Sequence, residues 1–330
     1  MKKLTIAYFG APDFSAGVLE QILNDKDIPV SVKCVVTQPD RPAGRKQTLT
    51  LTPVKLLAQK HSIPVFDMLH AACSVLHEID LVLLYAYGEI IPLEVLKLPR
   101  WGFWNIHPSL LPRFRGPSPI AYPLFLGETK TGVSLMEMDE RMDTGPIIDQ
   151  EEYSIQPTDT QETLKNKLSD IGYKLFKKNV QLLIDGALQK KEQDNSQATY
   201  TRLLTKQQGY IPFPLVQKII QSQPLSTADI PSIIQEYCDK YNIPATNHQS
   251  LTTYYSLFRA LSPWPGLWTL LRPSELKGSA RQAHAREMRL KITGMALTAN
   301  NQPLITRVQL EGKKELDWET FYSVYGACFS

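Results

Sequence analysis

The run Leu81-Val82-Leu83-Leu84-Tyr85-Ala86, directly after Asp80, is apolar at every position. A strand with one wet face alternates apolar and polar side chains, so a run with no polar position asks for cover on both faces. Helices on two sides of a sheet supply that cover, and parallel strands need such crossovers in any case. The flanking segments fit. Residues 4–9 (LTIAYF) and 31–37 (SVKCVVT) read as strands, with an amphipathic helix at 14–24 between them. A helical run at 53–60 precedes a short strand at 64–66. The expected class is therefore α/β, Rossmann-like, with a mostly parallel, doubly wound sheet. Ligands on such sheets gather beyond the carboxyl ends of the strands, where Gly10, Gln38, Tyr87-Gly88 and His107 fall. Gly10-Ala11-Pro12 lacks the glycine spacing of a dinucleotide fingerprint, so NAD binding is not expected.

The stretch 101–120, WGFWNIHPSLLPRFRGPSPI, holds the densest chemistry. Phe103 to Ile106 read as a strand that Pro108 ends. Side chains alternate along a strand, so Asn105 and His107 leave one face together while Ile106 enters the core. Three prolines and a glycine between Pro108 and Pro117 stiffen and turn the chain that follows. By itself Asn-x-His also fits a turn-satisfying amide and a packed, hydrogen-bonded histidine. Downstream, MDERMDTGPII sets Asp139, Asp143, Thr144 and Gly145 in a loop between two apolar runs, 131–137 and 147–155, that read as strands. A carboxylate returning from that loop would orient an imidazole and fix its tautomer.

Length and composition bound the rest. At 330 residues the chain can hold two domains. Its N-terminal apolar run breaks at Gly10, Pro12 and Asp13, which suits a first strand rather than a signal peptide. No stretch approaches the roughly 18 apolar residues of a membrane helix. The four cysteines, Cys34, Cys73, Cys238 and Cys328, are scattered without a CxxC pair. Neither a zinc site nor a disulfide framework is expected, and a reducing cytoplasm fits. Residues 201–330 carry 14 Lys+Arg against 9 Asp+Glu, and the first 200 carry 22 against 24. Such an asymmetry suits contact with phosphates by one half and chemistry in the other, although a solvated surface explains it equally. The basic loop QPDRPAGRKQTLTLT (38–52) likewise fits a phosphate backbone or a mobile insertion.

A long amphipathic helix at 160–184 is expected to close the first domain, 1–188, and the polar stretch 189–208 to link it to a second, 209–330. There, 216–220 and 233–241 look helical, SPWPGLWTLL turns into a strand, and 289–292 and 305–310 read as further strands. A small β-barrel with helical decoration is the expectation.

Together these segments closely resemble the methionyl-tRNA formyltransferases, within the folate-dependent formyltransferases. The resemblance runs through FGAPDFS, VVTQPDRPAGR, AYGEIIP, NIHPSLLPRFRGPSPI and MDTG, and resumes at ATYTRLLTKQQG, RALSPWPGLWT and VQLEGKK. It implies a Rossmann-like formyltransferase domain followed by an OB-like, tRNA-binding domain with an insertion at about 214–254. It also implies formyl transfer from 10-formyltetrahydrofolate, without a metal, to the α-amine of initiator Met-tRNA; a monomer is the expectation, though the sequence does not reveal the oligomeric state. Asn105, His107 and Asp143 match the family's catalytic trio, as oxyanion donor, proton shuttle and the residue orienting His107. Ser109, Leu110, Leu111 and Pro112 match its folate-contacting segment, and Ala86, Tyr87, Gly88 and Ile91 are expected to line the pterin pocket. Arg41, Arg45 and Lys46 match the loop that meets the acceptor stem.

The chain departs from the family where Lys46, Gln47 and Thr48 replace a glycine and extra lysines. It departs again where Ile211-Pro212-Phe213 stands for Ile-Asp-Trp. Two rival readings share the trio: a sugar-nucleotide N-formyltransferase, and a catalytically silent tRNA-binding protein.

Overall fold

The computed structural model describes residues 3–43, 48–272 and 287–326. The chain forms two units. The first holds Met1–Pro119, Lys130–Ile155 and Thr163–Arg202, and the second Ile120–Thr129, Gln156–Glu162 and Leu203–Ser330. The break at Arg202 falls inside the stretch expected as the linker. The two short segments that join the second unit carry no boundary signal in the sequence.

In chain order the first unit opens with β1 (Leu4–Gly10), α1 (Asp13–Asn24) and β2 (Val30–Val36). Inside the basic loop lies a small antiparallel ribbon, β3 (Arg41–Ala43) with β4 (Thr48–Thr50), followed by α2 (Pro53–Lys60). Next come β5 (Val65–Phe66), α3 (Leu69–Leu76), β6 (Leu81–Tyr85), α4 (Leu93–Leu96) and β7 (Phe103–His107). After α5 (Ala121–Phe125), which belongs to the second unit, β8 (Lys130–Glu137), β9 (Ile147–Ser154) and the long α6 (Gln161–Ile184) complete it. The sheet runs β5-β2-β1-β6-β7-β8-β9. Its first five strands are parallel, and β8 and β9 are antiparallel additions.

The fully apolar β6 is buried at every position and pairs with β1 and β7. Its odd and even residues face different layers. Val82 and Leu84 join Ala7, Phe9, Cys34, Val36 and Phe103 in a core closed by Ala72 and Leu76 of α3 and Val95 and Leu96 of α4. On the other face the Tyr85 hydroxyl meets Ser169 of α6, and Trp104 lies edge-on to Phe176 of α6. Gly172 lets α6 approach that face: a Cβ there would stand 2.5 Å from Ile106 Cγ2. The order of the strands turns back between β1 and β6, and the carboxyl ends of the parallel strands β1, β2, β6 and β7 share one edge.

The second unit adds α7 (Phe213–Ile220), α8 (Ser232–Tyr241) and α9 (Thr252–Leu261) to α5. A four-stranded antiparallel sheet follows: β10 (Leu267–Leu271), β11 (Met288–Leu297), β12 (Pro303–Leu310) and β13 (Glu315–Asp317), then α10 (Trp318–Tyr325). β11 and β12 bury alternate residues, with Leu290 opposite Leu310 and Ile292 opposite Val308, as a small β domain with one wet face requires. The 214–254 stretch, expected as an insertion, holds α7, α8 and the start of α9, and Ile233, Ile234, Tyr237 and Cys238 of α8 are buried, with Tyr237 against Tyr122 of α5.

Candidate active site

Because Phe103 faces the α3–α4 layer, the period of two sends Asn105 and His107 toward that same side and Trp104 and Ile106 toward α6. Both polar side chains are buried, at the strand's carboxyl end. Among the described residues no hydrogen bond occupies the Asn105 side chain, although it is only 8% exposed. Its amide is not among the fully buried groups that lack a partner, so its donor and acceptor are open to a ligand atom.

His107 has a polar neighbour at each ring nitrogen. Nε2 lies 3.1 Å from the carbonyl oxygen of Phe114. A carbonyl only accepts, so that contact places the ring proton on Nε2. Nδ1 then faces Asp143 Oδ1 at 3.6 Å, within ion-pair reach but longer than a hydrogen bond. The other Asp143 oxygen accepts the Gly116 N–H at 2.7 Å. Asp143 itself adopts a left-handed φ of 54°, unfavourable for a residue with a side chain. Its carbonyl, and that of Gly145, accept the Gln193 amide at 2.9 and 2.7 Å. The structure thus brings His107 and Asp143 together, with the ring held by Phe114 and the carboxylate by Gly116.

Ser109, Leu110, Leu111 and Pro112 leave the same strand end. The buried Ser134 hydroxyl of β8 donates to the Ser109 carbonyl at 2.6 Å and accepts the Leu111 N–H at 3.0 Å. Gln150 of β9 donates to the Leu111 carbonyl at 2.9 Å. A Cβ at Gly132 would stand 2.3 Å from the Glu151 carbonyl and 2.5 Å from Leu110 Cδ2, so only glycine lets this segment lie on β8.

After β6, Ala86 and Gly88 take φ of 54° and 84° and turn the chain. The Tyr87 and Ile91 side chains point into the core, with Tyr87 edge-on to Phe9. Burial, with the Glu89 carboxylate beside it, pushes the Tyr87 phenol well above its ordinary value. Any ligand meeting this turn therefore meets its main chain rather than those two side chains. Arg41 is exposed at the start of β3; Arg45 and Lys46 lie outside the described residues. Two surface clefts of about 360 and 350 Å³, one at Asp13, Pro53 and Lys60 and the other at Glu128, Asn247 and His248, are lined by none of the trio. Among the described residues no group of three or more His, Cys, Asp or Glu is placed to hold a metal ion, and no helix is long and apolar enough to cross a membrane.

The sequence pointed to Asn105 and His107 through strand period, and to Asp143 through its acidic loop. It missed Phe114, Gly116, Ser134, Gln150 and Gln193. The first two act through the main chain, which leaves no side-chain signature, and the others are ordinary polar residues far apart in sequence.

A family model described as formyl transferase matches residues 2–180. A methionyl-tRNA formyltransferase of Bacillus cytotoxicus is 32% identical over 96% of this chain and 95% of its own length. The chain belongs to the methionyl-tRNA formyltransferase family. A second family member, from Bacillus mycoides, is 31% identical over the same shares. Among solved structures, a 4-N formyltransferase from Francisella tularensis aligns with TM-score 0.57 at 16% identity, over 82% of this chain and 93% of that one. A sugar N-formyltransferase from Shewanella aligns with TM-score 0.53 at 15% identity, over 94% and 99%. At those identities the likeness is one of fold.

Proposed function

We propose that the protein transfers the formyl group of 10-formyltetrahydrofolate to the α-amine of methionine on initiator tRNA, in translation initiation, with Asn105, His107 and Asp143 at the reacting centre. The observation that carries this reading is near-full-length likeness to enzymes of that name. The end of β7 suits the chemistry. When an amine adds to a formyl carbon, negative charge builds on the formyl oxygen, and the nitrogen must shed a proton. The unengaged Asn105 amide donates to that oxygen, in a contact that strengthens as the charge develops. With its Nε2 proton held by Phe114, His107 offers Nδ1 to take the amine proton and return it to the departing folate nitrogen. Asp143 faces the cation so formed, and the new C–N bond replaces the old one.

The held-down Ser109–Pro112 segment and the main chain of the Ala86–Gly88 turn, with Ile91 packed beneath, are the proposed folate contacts. Arg41, Arg45 and Lys46 are the proposed contacts to the acceptor stem, where positive side chains replace counterions.

The test is to supply 10-formyltetrahydrofolate with Met-tRNA or with an amino-sugar nucleotide. Formyl-methionine is the expected product, and Arg41→Ala should raise KM for tRNA without changing KM for the folate. Formylation of the sugar, or tRNA binding without transfer, contradicts the reading.

A further inference from the structure

Arg115 is 1% exposed and, among the described residues, forms no ion pair. Among the described residues its guanidinium is met by neutral oxygens and by the face of the Tyr200 ring, 5.8 Å away. Nε and one terminal nitrogen donate to Gln193 Oε1 at 3.2 and 2.6 Å. The same terminal nitrogen donates to Asn195 Oδ1 at 2.8 Å, and the other donates to the Tyr200 hydroxyl at 3.1 Å. Burying a cation without a counter-charge is unfavourable, so such a site is expected where the geometry it fixes is needed.

What it fixes lies on either side. Phe114, just before it, gives the carbonyl that accepts the hydrogen bond from His107; Gly116, just after it, gives the N–H that holds Asp143. The backbone of Arg115 is tied to the 199–201 segment in both directions, by its N–H to the Thr199 carbonyl at 2.8 Å and by the Thr201 N–H to its carbonyl at 2.7 Å. Gln193 spends its oxygen on Arg115 and its amide on the carbonyls of Asp143 and Gly145. Gly116 has φ of 103°, and a Cβ there would stand 3.0 Å from the Thr201 carbonyl, so the two segments lie in close approach at the residue that holds Asp143.

We propose that Arg115 and Gln193 are positioning residues for the reaction: the 193–201 segment, through them, sets the distance and angle between His107 and Asp143. This rests on the proposed roles of that pair. The signal in the sequence was slight, because Gln193 lies in a polar stretch that reads as a passive tether.

Gln193→Glu is the discriminating variant. It keeps an acceptor for Arg115, now charged, and turns the donation to the Asp143 and Gly145 carbonyls into repulsion between oxygens. Expected for Gln193→Glu, at wild-type thermal stability, is a fall in kcat of about 10-fold or more, since misplacements near 1 Å reach 10²-fold. KM for 10-formyltetrahydrofolate and for Met-tRNA should stay within about twofold, and the pH–rate profile should move, because the charge facing the imidazole has moved. Arg115→Met, which removes the clamp at its root, should show the same kcat loss in its folded fraction. Wild-type kcat and an unmoved pH profile in Gln193→Glu overturn the proposal, whatever Arg115→Met does. Failure of the underlying reading looks different: there the wild-type protein itself does not formylate Met-tRNA.

Discussion

The hydroxyl of Ser134 serves three partners at once, the Ser109 carbonyl, the Leu111 N–H and the Gln150 amide. Removing it in Ser134→Ala leaves the Leu111 N–H unpaired in a buried place, where such a loss costs about 1–3 kcal/mol. Thermal or denaturant unfolding should show that loss. If Ser109–Pro112 holds the folate, KM for 10-formyltetrahydrofolate should rise while KM for Met-tRNA does not. A variant unchanged in both would contradict the role given to this segment. At this scale the sequence was legible wherever a period-two argument applied, as for Asn105 and His107. It was opaque for Ser134, which stands between Val133 and Leu135 like any polar filler in a strand.

Between elements, the clearest join is α6 laid across β7 and beside α1. Gln21 donates to Asp170, and Asp25, which caps the end of α1, takes Lys177 and Tyr173 of α6. Hydrogen bonds from Lys177 and then Tyr173 hold the Asp25 carboxyl at about 2, against an ordinary 3.8. The sign follows: a carboxyl depressed in the folded state stabilises fully above its unfolded value and loses that contribution as pH falls through the folded one. Asp25→Asn should therefore be less stable than wild type at neutral pH, by about 1 kcal/mol or less for a pair this near the surface. Denaturant titrations should show the gap closing between pH 4 and pH 2; a gap independent of pH would contradict the assignment. The long helix itself was legible from its apolar stripe. α3 and α9 were not, because α3 is short and apolar nearly throughout, and α9 runs into the Ser262-Pro263-Trp264-Pro265 turn that dominates that stretch. The basic loop was expected to be irregular, and the β3–β4 ribbon inside it is anchored by contacts distant in sequence, such as Lys55 with Asp40 and Thr37 with Thr52.

Over the whole molecule, one fully apolar strand implied a sheet covered on both faces, and the strand-like runs at 289–292 and 305–310 implied the small β domain, whose β11 and β12 bury alternate residues. The break at Arg202 was only bracketed, since the polar 189–208 stretch ties back into the first unit through Gln193, Thr199 and Thr201. Polarity marked that stretch as surface, whereas its hydrogen bonds join it to the main chain beside Asp143 and Arg115. The family accounts for a reaction, and the proposed reacting atoms lie at the end of β7. The most direct test is the single-turnover rate of formyl transfer to Met-tRNA, at saturating 10-formyltetrahydrofolate, in wild type, Asn105→Ala and His107→Ala. Losses on the order of 10²-fold or more in each variant, with folding and substrate binding retained, are expected. A near-wild-type rate in either one would contradict the account.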